Sequence, residues 1–391
     1  MNEPLIILGA SARAAAYSAA RAGFAPWAAD LFADADLARL CPVVRIERYP
    51  CDFGKVVGQA PPGPWMYTGG LENYPAVVER IHAVRPLLGC AGATLRRARD
   101  PWALAELARR AGLPAPELAL AGAALPRDGS WLRKALRSSG GLHVRFWDAD
   151  HPAPAERRGW YFQQRILGDS HAAVFVADGQ RSVCLGITRQ FVGGDDELGS
   201  AAGAPRFHYA GSVGPVSVPL PVQAALARLG ETLTAEWRLE GLFGVDFVLA
   251  GTDGWPLELN PRFPASVEVL ERARGFSAVG WHVSACRDRL LYPPPSDGSE
   301  RTCAGKVVLY ALGGERMDED GCAALLARNP QTGAPQIADI PAEPGKFRQG
   351  EPLLTLLAEG NSPAMVTAQL TARIAELRSW YAVMAVARGP G

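Results

Sequence analysis

Asp246, Glu258, Asn260 and Arg262 fall within 17 residues of this chain, in the stretch FGVDFVLAGTDGWPLELNPR. Asp246 sits in an apolar, β-branched run, a Gly/Asp turn follows, and a second short run carries Glu258 and Asn260 before Pro261 breaks it. Residues two apart on a strand share a face, so Glu258 and Asn260 point the same way. Asp246 lies opposite them if the hairpin register cooperates. Two carboxylates and an amide form a hard-oxygen set suited to Mg²⁺, which keeps waters and shares its remaining sites with substrate phosphates. Arg262 adds a forked cation where a phosphate or carboxylate would sit.

A second group lies upstream. Lys134 falls in a short strand, and Ser138, Ser139, Gly140 and Gly141 form the turn into the next strand, LHVRFW. A glycine-rich turn exposes backbone N–H groups and can close over phosphates, and a lysine on the strand before it reaches them as a point charge. Only four of the 40 basic residues are lysine (Lys55, Lys134, Lys306 and Lys346). Where arginine is so favoured, a retained lysine points to chemistry that a flat guanidinium cannot do.

The hairpin resembles the metal-binding end of the ATP-grasp superfamily: an acidic residue, about a dozen positions, then Glu-x-Asn. The resemblance implies that Asp246, Glu258 and Asn260 hold Mg²⁺ on ATP and that Arg262 steadies an acyl phosphate. It also implies that Lys134 and the Ser138–Gly141 turn hold the nucleotide phosphates. The strand YFQQRI is similar to the linker strand that pairs with adenine, which makes Gln163, Gln164 and Asp169 the local polar candidates for the nucleotide. Family members commonly carry Asp-Lys at the start of an earlier helix, with that lysine on the phosphates. Here Pro101 stands in its place, and Arg97 or Arg99 can substitute.

The elements that must position these groups follow in order. PLIILG, the turn ASARA, a helical AAAYSAARAG and the strand APWAADLF make a βαβ beginning. Only Gly9 of a dinucleotide-binding glycine pattern is present, so a Rossmann-like scaffold without a dinucleotide is expected. The loop from Tyr67 to Asn73, with Glu72, reads as a plain turn. Asp100 caps a helix that Pro101 opens. His171 reads as a surface histidine, while Arg189, Gln190, His208, Tyr209 and Ser212 line an acceptor pocket or a solvated sheet edge. PVQAALARLGETLTAEWRLEG reads as an amphipathic helix pair, and ASVEVLERARG as a helix carrying Ser266 and Glu268. Past a linker, PPPSDGSE, the strands and final helix resemble the C-terminal β-domain of biotin-carboxylase-like members. Lys306 and Lys346 read there as surface charges.

The expected fold is α/β and α+β: an ATP-grasp fold with a Rossmann-like N-terminal domain and a small C-terminal β-domain. The divisions fall at residues 1–95, 96–295 and 300–391, the last a β-rich cap with a terminal helix. At 391 residues the chain exceeds what one core supports. A formal net charge of zero gives no basic excess for nucleic acid, and no run is long enough to span a membrane. The apolar N-terminus reads as a strand rather than a signal peptide. Seven dispersed cysteines suit a reducing, cytoplasmic compartment. The resemblance implies an ADP-forming ligase with ATP and Mg²⁺, taking a small-molecule carboxylate and an amine, in a possible homodimer. It points to amino-acid ligation, such as adding glutamate, in one-carbon cofactor biosynthesis. Bicarbonate-dependent carboxylation and a non-catalytic nucleotide-binding regulator are the alternatives.

Overall fold

The computed structural model describes residues 2–120, 122–150, 159–294, 302–330 and 335–387; most of the expected linker PPPSDGSE lies outside them. The chain opens with β1 (Pro4–Leu8), α1 (Arg13–Arg21), β2 (Ala25–Asp30), α2 (Ala35–Leu40), β3 (Val43–Arg45), α3 (Phe53–Val56) and β4 (Trp65–Tyr67). The four strands form a parallel sheet in the order β3-β2-β1-β4, as alternating strands and helices require. β1 is buried on both faces, which explains its unbroken apolar run. A Cβ on Gly9 would meet Thr68 Oγ1 at 2.0 Å, so this glycine is needed for the close approach of two turns.

Helices α4 (Pro75–His82), α5 (Gly92–Ala98) and α6 (Pro101–Arg110) lead out of this sheet. Asp100 caps α6 by accepting from the N–H groups of Trp102 and Ala103, and Pro101 occupies the first turn. A small antiparallel sheet follows, built from β5 (Leu118–Leu120), β6 (Asp128–Ala135), β7 (Val144–Asp148) and β8 (Trp160–Gln164) in the order β5-β8-β6-β7.

The second, larger antiparallel sheet starts with β9 (Asp169–Asp178), β10 (Ser182–Val192), β11 (Tyr209–Gly214), β12 (Glu240–Ala250) and β13 (Asp253–Asn260). Helices α7 (Glu197–Ala201) and α8 (Leu220–Trp237) are inserted between its strands. The expected helix pair is one continuous helix, α8. Gly230 does not break it: a Cβ there would meet the Phe175 ring at 2.6 Å, so the glycine lets the helix settle onto β9.

Helices α9 (Val267–Arg274) and α10 (Ala278–Asp288) precede β14 (Cys303–Tyr310), β15 (Arg316–Met317), α11 (Glu319–Arg328), β16 (Ile337–Ala338), β17 (Gly345–Lys346), β18 (Pro352–Gly360) and α12 (Pro363–Ala387). β15 and β17 form a two-stranded ribbon. β14, β18 and β16 instead extend the larger sheet, whose order is β13-β12-β9-β10-β11-β14-β18-β16. The C-terminal strands therefore share one hydrogen-bonded sheet with the β12–β13 hairpin.

Glu271 ties α9 to α1. Its buried carboxylate accepts from Ser18 Oγ, from Arg21 Nη2 (2.9 Å) and from the Ala278 N–H (2.6 Å). Burial outweighs Arg21 and pushes this carboxyl up to about 7. An unfolded glutamate titrates near 4.5, so between the two values the folded chain holds the extra proton and stability falls as pH rises. Thermal melts of Glu271→Gln should therefore gain on the wild type by a few degrees between pH 5 and pH 8. A constant difference across that window would contradict the assignment.

Candidate active site

The hairpin β12–β13 pairs Asp246 directly with Glu258 and Gly244 with Asn260, so the register brings all three oxygen-bearing groups to one face. A bulge next to Asp246 re-aims the strand at this point. Asn260 Nδ2 donates to Asp246 Oδ2 (2.8 Å), and Gln190 Nε2 donates to its other oxygen (3.0 Å). Arg262 Nη2 donates to Asn260 Oδ1 at 2.9 Å. These groups line a cavity of about 420 Å³ between the two antiparallel sheets, to which N-terminal residues such as Arg13 and Thr68 and the C-terminal residues Lys306 and Asp339 also contribute.

Two carboxylates at this spacing cannot both ionise cheaply. Burial and then the charge of Glu258 push Asp246 up to about 6. Burial acts the same way on Glu258, but Arg99, Lys134 and Arg262 outweigh it and hold that carboxyl below its ordinary value. The pair is thus short of positive charge at Asp246. A divalent cation fits this donor set. Among the described residues no three His, Cys, Asp or Glu side chains converge as a closed metal cage. Magnesium bound there would take further oxygens from Asn260, water and nucleotide phosphates.

The phosphate-binding candidates come together on the opposite wall. Lys134 on β6 donates to Gln163 Oε1 on β8 at 3.0 Å, and both line the cavity with Ser139, Gly140 and Gly141. Ser138 lies just behind, where its carbonyl accepts from Arg99 Nη2 (3.0 Å) and Asn73 Nδ2 (3.2 Å). Gln164 also faces the cavity, and its Oε1 accepts from the Glu117 N–H. Asp169 does not join them: it is exposed at the start of β9, 3.6 Å from Arg189, and outside the cavity lining.

A Cβ on Gly141 would meet the Phe207 carbonyl oxygen at 1.8 Å, with φ at +79°. Gly140 has open space. Gly141→Ala must therefore shift the turn, and the left-handed backbone adds about 1–2 kcal/mol. Nucleotide titration should show affinity falling about tenfold in Gly141→Ala and less in Gly140→Ala. Equal effects would mean that the contact with Phe207 is irrelevant.

Three sequence expectations need correction. The loop carrying Glu72 is more than a plain turn: Glu72 is fully buried and accepts from Arg262 Nε at 3.2 Å, so this loop holds the arginine of the β12–β13 hairpin. His171 is no surface histidine: it is buried, stacked on Phe247 with 5.3 Å between ring centroids, and burial lowers its basicity. Lys306 is no surface charge. It is 6% exposed, 3.1 Å from Glu268, and it lines the cavity. Arg189 is exposed, whereas Gln190 and Tyr209 do line the cavity. Of the two arginines left open, Arg99 is partly buried and bonded to Glu258, and Arg97 is exposed. Lys346 is exposed as expected.

Two sheets clasping a cavity, with a carboxylate hairpin on one wall and a glycine turn on the other, define the ATP-grasp fold. Residues 98–266 match the family model described as the ATP-grasp domain, and the chain has the ATP-grasp fold. The whole chain also superposes on solved ATP-grasp structures. Phosphoribosylamine–glycine ligase from Thermotoga maritima has a TM-score of 0.65 at 18% identity, with 95% of this chain and 96% of that one covered. Biotin carboxylase from Campylobacter jejuni has a TM-score of 0.65 at 14% identity, covering 93% and 89%. N5-carboxyaminoimidazole ribonucleotide synthetase from Thermus thermophilus has a TM-score of 0.64 at 14% identity, covering 95% and 98%. No curated protein matches in sequence. Among the described residues no helix is long and apolar enough to cross a membrane.

Proposed function

We propose that this protein is an ADP-forming ligase that activates a carboxylate as an acyl phosphate and joins it to an amine. The observation that carries this reading is the cross-strand pair Asp246–Glu258, with Asn260 and Arg262, facing Lys134 and the glycine turn across one cavity. Bound Mg²⁺ would neutralise the nucleotide phosphates between Asp246, Glu258 and Asn260. Lys134 and the N–H groups of the turn hold those phosphates in place. The substrate carboxylate attacks the γ-phosphorus, the bond to the ADP oxygen breaks, and ADP leaves. Arg262, fixed by Glu72 and Asn260, faces the transferred phosphoryl group. The amine then adds to the acyl carbon and loses a proton as phosphate departs. Position and charge account for catalysis of this kind, with no covalent enzyme intermediate.

The amine reading extends to an amino acid, as in the addition of glutamate to a one-carbon cofactor precursor. A cytoplasmic location and a homodimer complete it. The second reading is carboxylation. Two of the similar structures carry names of carboxylating enzymes, so bicarbonate is a rival for the activated carboxylate. ADP release with Mg·ATP, measured against a panel of carboxylic acids and amines and against bicarbonate, separates the two. Stimulation by an acid together with an amine supports the ligase. Stimulation by bicarbonate alone with an acceptor favours the carboxylase. Mg·ATP binding without turnover under any condition would favour a nucleotide-binding regulator.

A further inference from the structure

The cavity extends beyond the metal hairpin to an end that phosphoryl transfer does not use. Gln190, Ser212 and Lys306 stand directly opposite one another on β10, β11 and β14. Cross-strand partners share a face, and strands lie ~4.8 Å apart, so Lys306 is roughly 10 Å along the sheet from Gln190. Gln190 itself touches Asp246. A row of polar side chains thus leads from the carboxylate pair to a buried lysine.

Lys306 is held there by α9. Glu268 accepts from Lys306 Nζ at 3.1 Å and from both Nη atoms of Arg13 at 2.7 and 2.9 Å. Both oxygens of Glu268 are therefore engaged. An ammonium has three donors, so Lys306 keeps two, and no other partner takes them among the described residues. Tyr209 and Ser266, whose hydroxyls both meet Ser212, line the same end of the cavity.

The opposite charge comes from the C-terminal segment. Asp339 follows β16 and has φ at +53°, a left-handed backbone that costs a non-glycine residue about 1–2 kcal/mol. Its surroundings impose that conformation. Asp36 accepts from the N–H groups of Asp339 and Ile340, and Arg13 Nε donates to Asp339 Oδ1 at 2.6 Å. The second oxygen of Asp339 has no partner among the described residues, and its side chain, 27% exposed, lines the cavity. The Arg13 network has buried every other charge. It leaves donors on Lys306 and one oxygen of Asp339 without partners among the described residues, and both residues line the same cavity.

We propose that this end of the cavity binds the zwitterionic head of an amino acid, with its carboxylate on Lys306 and its ammonium on Asp339. The inference rests on the ligase reading in one respect, that the far end of the bound molecule is what reaches the metal hairpin. Binding itself does not depend on it. A plain carboxylic acid leaves the second oxygen of Asp339 without a donor, and a plain amine leaves the remaining donors of Lys306 without an acceptor. Recognition therefore requires both groups.

The test is calorimetric titration of the full chain, without nucleotide, with the protein amino acids and with each one's analogues lacking the amine or the carboxylate. The expected result is saturable binding of at least one amino acid, with both analogues weaker by about tenfold or more. Lys306→Met and Asp339→Asn should each weaken it about as much. Asp339→Asn alters a partly open tip and decides the matter if Lys306→Met does not fold. Equal binding of an amino acid and its deaminated analogue, or Asp339→Asn binding as well as the wild type, overturns the proposal, as does a panel in which none binds. Mg·ATP titration of the same samples keeps the two readings apart. Loss of nucleotide binding in the wild type ends the ligase reading and leaves an observed amino-acid site standing.

Discussion

Glu258→Gln should reduce acceptor-dependent ADP release by about 10²–10³-fold and remove most of the Mg²⁺ dependence of ATP binding. The substitution keeps the size of the side chain and deletes one charge at a position where three cations converge: Arg99, Lys134 and Arg262 all act on this carboxylate. Its cross-strand partner Asp246 would lose the like charge that, after burial, raises its own titration most. Asp246 alone then offers one carboxylate to a divalent ion, and Arg99 is left partly buried without its counter-charge. Nucleotide titration at several Mg²⁺ concentrations, beside the turnover assay, reads the two effects separately. Wild-type Mg²⁺ dependence in this variant would falsify the assignment of the metal hairpin.

The largest effect on stability should come from Glu268→Gln. Glu268 sits between Arg13 and Lys306, and all three side chains are almost entirely buried. Removing one partner of a buried ion pair leaves the other charge uncompensated, which typically costs ~3–5 kcal/mol. That is a large share of the ~5–15 kcal/mol that holds a folded chain together. Burial acts to raise the Glu268 carboxyl, but Arg13 and then Lys306 overwhelm it and hold it far below its ordinary 4.5. The sign follows. The stabilisation is fully present above pH 4.5 and disappears only as the pH falls through the depressed folded value. Urea midpoints of the two proteins should differ widely at pH 7 and still differ at pH 4.5. Adding Lys306→Met to Glu268→Gln should recover part of the loss, because it removes one of the stranded cations. No recovery would mean that Arg13 alone accounts for the cost.

The sequence was most legible where one element carries its own chemistry. The hairpin could be read because Asp246, Glu258 and Asn260 lie on two consecutive strands, where period and register together decide which side chains meet. The β1–α1–β2 unit and the capped α6 were equally local. What escaped were contacts between regions far apart in the chain. Glu72 reaches Arg262 across 190 positions, and Arg13 reaches Asp339 across 326. No periodicity encodes such pairs. Lys306 is an intermediate case. Its rarity as a lysine was a usable signal, but its position in a strand past a linker suggested a separate packing module, and the sheet order shows otherwise.

The continuity of the larger sheet through β11, β14, β18 and β16 has a practical result for anyone trimming this chain. Ending expression near residue 294 would not release a tidy two-domain core. It would strip β11 of its neighbour and open a raw edge of unpaired N–H and C=O groups, of the kind that recruits other chains. The same cut would bare the underside of α9, where Val269 and Ala273 lie against Ala304. A shortened form should therefore be recovered mainly as aggregate, and soluble variants are better sought by changing side chains than by removing the tail.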